Sequence, residues 1–135
     1  MQTILFDLDG TLIDHFTTIH RCIVHVPSKL GLPQSDYATV RSTVGGSTPV
    51  TLERLLGESH VAAALPLFRN YFDQIIFEDL QALPGSSWLL QALHRRGHPL
   101  AVFTNKFGDH SRATLQHLGM DRWLDAVVGT GDTPY

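Results

Sequence analysis

Apolar residues along this chain follow two patterns. Three short continuous runs, Ile4-Leu5-Phe6, Leu100-Ala101-Val102-Phe103 and Ala126-Val127-Val128, are bounded by polar or turn-forming residues. Runs of this kind read as strands apolar on both faces, as in a parallel sheet. Elsewhere the spacing is helical. Phe16, Ile19, Ile23, Val26 and Leu30 predict a helix over 15–30, and Pro27 predicts a kink or break between Ile23 and Ser28, because an interior proline removes a backbone hydrogen bond. A short helix follows over 36–44, with Ser35 as its cap candidate. Leu52, Leu55 and Leu56 mark a third, opened by Thr48 as N-cap and Pro49 at the first helical position, and ended by Gly57. Val61, Leu65, Phe68, Phe72, Ile75 and Ile76 mark a fourth over 60–79. Ser86-Ser87 caps a helix over 88–96 with Leu89, Leu90 and Leu93 inward and Gly97 at the left-handed position beyond its end. The last helix spans 109–118, and 129–135 reads as loop.

The order is therefore a strand over 2–8, an all-helical stretch, then helix, strand, helix, strand. This predicts an α/β fold: a doubly wound parallel sheet, Rossmann-type, formed by residues 1–14 and 82–135, with an inserted α-helical cap domain over 15–81. The insert leaves the carboxyl end of the first strand, where a helical module can act as a lid that excludes water.

Composition narrows the class. Hydrophobic residues make up 43% and charged residues 17% of the 135, which is a globular balance. The net charge is −3 without a basic run, which argues against nucleic acid as a partner. No apolar stretch approaches the roughly 18 residues of a membrane span, and the N-terminus shows no secretory pattern. Cys22 has no second cysteine to pair with, so the expected setting is the cytoplasm. Phe68, Tyr71, Phe72, Phe77, Trp88 and Trp123 read as packing residues. His15, His20 and His25 are five apart, which does not set them on one helix face, and argues against a histidine metal site.

The chemistry concentrates where the first strand ends, in Phe6-Asp7-Leu8-Asp9-Gly10-Thr11. Residues two apart on a strand point the same way, and ligands of open α/β sheets bind outside the carboxyl ends of the strands. Asp7 and Asp9 thus stand together at a crevice, with Gly10 letting the backbone turn close to what binds. Two crowded carboxylates call for a shared proton or a cation. One carboxylate can attack as a nucleophile, a second can protonate a leaving oxygen and then deprotonate water, and hard oxygen ligands suit Mg²⁺. The alternative is an acidic loop with both side chains solvated or capping a turn.

A second cluster, Thr104-Asn105-Lys106, follows an apolar strand on the same sheet edge. A hydroxyl, amide donors and an ammonium ahead of a helix start make a phosphate grip. Gly45-Gly46, before Thr48-Pro49, exposes backbone amides and reads either as a substrate-facing loop or as a plain turn between helices.

The string Phe6-Asp7-Leu8-Asp9-Gly10-Thr11-Leu12 resembles the first motif of the haloacid dehalogenase-like (HAD) hydrolases, and Thr104-Asn105-Lys106 their second. That resemblance implies Asp7 as nucleophile, Asp9 as general acid/base, Gly10, Thr11, Thr104, Asn105 and Lys106 as phosphoryl-binding residues, and Mg²⁺ as cofactor. It implies a metal held at Asp7 and Asp9, by the first side chain and by the main-chain carbonyl at the second. Together with Arg95-Arg96-Gly97-His98-Pro99-Leu100 and the Gly45-Gly46 loop, the motifs look most like the phosphoglycolate phosphatase branch. The implied function is hydrolysis of a small phosphorylated metabolite, such as 2-phosphoglycolate, through an aspartyl-phosphate. The alternatives are a β-phosphoglucomutase-like phosphomutase, or a catalytically incomplete fragment that binds a phosphorylated ligand. The family's later lysine motif and its Gly-Asp metal segment are expected to be missing. Gly131-Asp132 matches the latter only superficially, because it follows the third strand and no lysine motif precedes it. By the same analogy Ile4-Leu5-Phe6 becomes an exposed apolar edge, which invites a homodimer or strand exchange.

Overall fold

The three apolar runs pair as one parallel sheet, and the helical periodicities between them become helices. The computed structural model describes residues 1–134. In chain order the elements are β1 (Ile4–Phe6), β2 (Ile13–Asp14), α1 (Phe16–Leu30), α2 (Tyr37–Thr43), α3 (Thr48–Leu56), α4 (Val61–Ile75), β3 (Gln81–Ala82), α5 (Ser86–Arg95), β4 (Leu100–Phe107), α6 (Gly108–His117) and β5 (Ala126–Thr130), with single 3₁₀ turns at Glu58–His60 and Asp121–Trp123. They divide into two units: Met1–His15 together with the chain from Asp79 onward, and Phe16–Glu78. Among the described residues no helix is long and apolar enough to cross a membrane.

In the first unit β4 lies between β1 and β5, with Ile4, Leu5 and Phe6 opposite Leu100, Ala101 and Val102. Alternation along a strand splits these residues between faces. Leu100 and Val102 are fully buried with Leu90 of α5 and Leu115 of α6, so both helices cover the same face. Leu5 and Phe103 point the other way and are 67% and 65% exposed. Leu8, Leu12 and Ile13 extend the core beneath the loop that follows β1. The two-residue strands β2 and β3 pair antiparallel, Ile13 opposite Ala82, and hold together the two ends of chain that flank the insertion. A pair this short leaves no periodicity to read in the sequence.

The second unit is helical. α1 runs through Pro27 without the expected break. Pro27 sits in the last turn, is buried, and accepts a hydrogen bond from Leu32 N–H at 2.9 Å, so little helix remains for the lost bond to weaken. α2 is capped by Asp36, whose carboxylate accepts from Thr39 N–H at 2.7 Å, and not by Ser35. α3 has Ser47 at its N-cap position, one residue earlier than expected, with Pro49 in its first turn. Phe68 and Phe72 stack in the core. His25 stacks on Tyr71 with ring centroids 4.0 Å apart, and His20 packs on Tyr37.

Other expectations need correcting. Trp88 is 71% exposed, and Phe77 and Leu89 are largely exposed as well, so none of these is a core residue. The helix over 88–96 begins earlier, at Ser86, with Gly85 at its cap position; Ser86 Oγ donates back to Leu83 O instead of capping. Gly97 does adopt the left-handed conformation, with φ +82°. β4 does not stop at Phe103 but continues through Thr104, Asn105 and Lys106 to Phe107, and β5 continues to Thr130. Polar residues after an apolar run suggest a loop; here pairing to β5 resumes at Phe107 opposite Thr130 and keeps them extended. Tyr135, read as loop, lies outside the described residues.

Candidate active site

β1 ends at Phe6, and the next residue presents a carboxylate at the carboxyl edge of the sheet. Asp7 is exposed, and its Oδ1 accepts a hydrogen bond from Leu8 N–H at 2.8 Å. The chain then folds tightly around the buried Leu8. The Leu8 carbonyl accepts from the N–H groups of Thr11, Leu12 and Ile13 at 3.1, 2.9 and 3.2 Å. Gly10 N–H donates to Ile13 O at 2.9 Å, with Gly10 at φ +79°, a conformation that costs a residue with a Cβ about 1–2 kcal/mol. Asp9 is therefore fixed from both sides through Ile13, and the loop is a rigid mount for two carboxylates. Thr11 is exposed on the same turn.

β4 brings the second cluster to the same edge, because it is parallel to β1. Lys106 reaches across to Asp9: its Nζ lies 3.2 Å from Oδ1 and 3.1 Å from Oδ2. The Lys106 side chain is 6% exposed and that of Asp9 35% exposed, so the pair is partly shielded from solvent. Thr104 Oγ1 accepts from Lys106 N–H at 3.1 Å. A hydroxyl that accepts still has its own proton to donate, so Thr104 keeps a donor for an anionic oxygen. Asn105 is exposed, and its main-chain carbonyl accepts from Thr130 Oγ1 at 2.8 Å. Gly129 packs so closely on this strand that a Cβ there would meet Lys106 O and lie 2.7 Å from Gly108 N. Asp7, Asp9, Gly10, Thr11, Thr104, Asn105 and Lys106 thus all belong to the first unit. Gly45 and Gly46 belong to the second, where Gly45 O accepts from Thr51 Oγ1 at 3.1 Å.

One network next to this strand was not legible in the sequence. Arg112 of α6 donates through both Nη atoms to Asp132, at 2.8 and 2.9 Å, and also to Asp109. Gly129 N–H donates to Asp132 Oδ2 at 2.7 Å. Arg112 first, and that N–H second, hold the Asp132 carboxyl at about 2, well below the ordinary carboxylate range, and the Asp132 and then the Asp109 carboxylate push the Arg112 guanidinium above its usual value. Asp132 is engaged in joining the end of β5 to α6. Only the Asp109–Arg112 spacing of three on a helix was a readable signal.

The donors present fit a hard divalent cation of the Mg²⁺ type. Such a cation uses one or two carboxylates, keeps waters, and takes further oxygens from phosphate. Asp7 offers an exposed carboxylate, and the main chain at Asp9 is held rigidly beside it. The Asp9 side chain is already paired with an ammonium.

Comparisons with known proteins agree with this layout. A sequence model described as haloacid dehalogenase-like hydrolase matches residues 4–134. A phosphoglycolate phosphatase from Aquifex aeolicus is 32% identical over 133 residues, covering 98% of this chain and 62% of its own length. A 5'-nucleotidase from Pseudomonas aeruginosa is 32% identical over 129 residues, covering 94% of this chain and 58% of its own. The crystal structure of a predicted phosphoglycolate phosphatase from Haemophilus somnus superposes with a TM-score of 0.88 at 26% identity, over 98% of this chain and 64% of that one. The chain thus spans about three fifths of the length of the relatives it matches.

Proposed function

Because the chain belongs to the haloacid dehalogenase-like hydrolase family, we propose that it carries the phosphoryl-transfer site of a phosphatase acting on a small phosphate monoester. The observation that carries this reading is the pairing of Lys106 with Asp9, two residues from Asp7, which puts two carboxylates and an ammonium at one sheet edge. A phosphoryl group needs positioning, charge compensation and an in-line nucleophile, and these residue types supply all three.

In this reading an Asp7 carboxylate oxygen attacks phosphorus as the bond to the leaving oxygen breaks. Asp9, protonated for this step, gives its proton to the departing alkoxide, leaving an aspartyl-phosphate on Asp7 and a carboxylate on Asp9. Asp9 then takes a proton from water as that water attacks phosphorus. The bond to Asp7 breaks, inorganic phosphate leaves, and both carboxyl groups return to their starting forms. The Thr104 hydroxyl and the Lys106 ammonium hold phosphoryl oxygens, and the backbone at Gly10 and Thr11 closes the site. Asp7 and the Asp9 carbonyl would hold Mg²⁺, which when bound offsets the charge of carboxylate and phosphate together.

The substrate class is a small phosphorylated metabolite. The likeness to phosphoglycolate phosphatases favours 2-phosphoglycolate, and the likeness to a 5'-nucleotidase makes nucleoside monophosphates the first competitor. A cytoplasmic setting is part of the reading, supported by the single, buried Cys22. The test is release of inorganic phosphate from 2-phosphoglycolate, a nucleoside 5'-monophosphate and a sugar 1-phosphate with Mg²⁺ present. Asp7→Asn is expected to lower turnover by about a thousandfold or more with the fold retained; unchanged hydrolysis in that variant rules out Asp7 as the nucleophile.

A further inference from the structure

Two carboxylates and one ammonium share the sheet edge, and the ammonium is not placed symmetrically. Lys106 Nζ is within 3.2 Å of both oxygens of Asp9. Asp7 instead has one oxygen on the N–H of Leu8. The backbone that carries Lys106 is fixed on every side: by Thr104 Oγ1 at its N–H, by Thr130 Oγ1 at the preceding carbonyl, and by the close approach of Gly129 at its own carbonyl. The Asp9 backbone is fixed through Ile13. The pair is therefore preorganised, and its side chains meet without rearrangement of either strand.

We propose that Lys106 is a positioning residue that withholds the Asp9 side chain from a divalent cation and makes binding of that cation conditional on phosphate. The inference rests on the phosphatase reading above and goes beyond it. An ammonium across both Asp9 oxygens denies them to a dication and repels it. The cation is left with one protein carboxylate, Asp7, and a lone carboxylate holds Mg²⁺ weakly, since this ion dehydrates reluctantly and gains most from phosphate oxygens. A phosphate group changes the balance twice. It supplies the missing oxygens to the cation, and it competes with Asp9 for the Lys106 ammonium, which weakens the repulsion that the cation meets there. Cation and phosphate then strengthen each other's binding, and the coupling must be reciprocal.

Isothermal titration calorimetry of the chain with Mg²⁺ alone, inorganic phosphate alone, and Mg²⁺ at saturating phosphate measures this without reference to turnover. The wild type is expected to bind Mg²⁺ about fivefold or more tightly when phosphate is present. Lys106→Met, with its fold checked by circular dichroism, is expected to bind Mg²⁺ alone about fivefold or more tightly than the wild type, and to gain less from phosphate. Asp9→Asn is expected to leave Mg²⁺ affinity nearly unchanged in the wild-type background and to abolish the gain in the Lys106→Met background. Lys106→Met binding Mg²⁺ no more tightly than the wild type overturns the inference, as does a gain that survives Asp9→Asn. If neither protein binds Mg²⁺ or phosphate, the phosphatase reading falls with it, whereas equal binding by both removes this inference alone.

Discussion

Two glycines at the site serve opposite physical needs, and substitution separates them. Gly10 has open space where a Cβ would go, but its φ of +79° disfavours any side chain. Gly129 has no such backbone requirement; a Cβ there would collide with Lys106 O and sit 2.7 and 2.8 Å from Gly108 N and Cα. Gly10→Ala should therefore cost about 1–2 kcal/mol through backbone strain alone. Gly129→Ala should cost about 1–3 kcal/mol by overpacking, because backbone at the end of β4 and the start of α6 must move. The second substitution displaces the strand that carries Lys106 and the first disturbs the loop that carries Asp9 and Thr11, so both should also weaken phosphate binding. Denaturant unfolding with phosphate titration checks both. A Gly129→Ala protein with wild-type stability and affinity would mean that β5 can shift without dragging β4.

Among the elements, the joint between β5 and α6 depends on one carboxylate. Asp132 accepts from Arg112 of α6 and from the Gly129 N–H of β5, and Arg112, the larger cause, holds its carboxyl at about 2 against an ordinary 3.8. The folded value lies below the unfolded one, so on acidification the unfolded chain takes up this proton first. The contribution to stability is full above about pH 4 and fades as the pH falls toward about 2. Asp132→Asn should lower stability at neutral pH, and its difference from the wild type should shrink as the pH falls from about 4 to about 2. Unfolding curves across that range measure the difference, and a gap independent of pH would assign Asp132 a purely steric role. This network also marks where sequence reading stops. The parallel strands and longer helices were legible because long apolar runs and 3.6-residue stripes carry periodicity, and Asp7, Asp9 and Thr104 because they end such runs. The β2–β3 pair, the extension of β4 through Lys106 and the clasp of Arg112 with Asp132 were not, since each joins residues far apart in the chain through a few polar contacts with no period. Pro27 misled for a related reason: its cost depends on which helical turn it occupies, and that is a property of the finished helix.

Taken as a whole, the α/β unit is lopsided. α5 and α6 both cover the face of the sheet that carries Leu100 and Val102, while Leu5 on β1 and Phe103 on β4 lie 67% and 65% exposed on the other. A sheet with one large-residue apolar face in water is unusual for a monomer. β1 is also an edge strand among the described residues. Edge strands invite pairing, so self-association by edge and by face are the two routes, and the position of Phe103 separates them. β4 lies between β1 and β5, so Phe103 has no part in pairing along the β1 edge. The edge is only three residues long, with few hydrogen bonds to offer, whereas the face presents two large side chains; the face is therefore the expected route. Two large side chains make a small contact, so the association should be weak and concentration-dependent. Sedimentation of the 135-residue chain should show a reversible dimer that Phe103→Gln abolishes. A dimer that persists in Phe103→Gln would place the contact at the β1 edge, and a monomer at every concentration would mean that two exposed apolar side chains are too few to hold copies together.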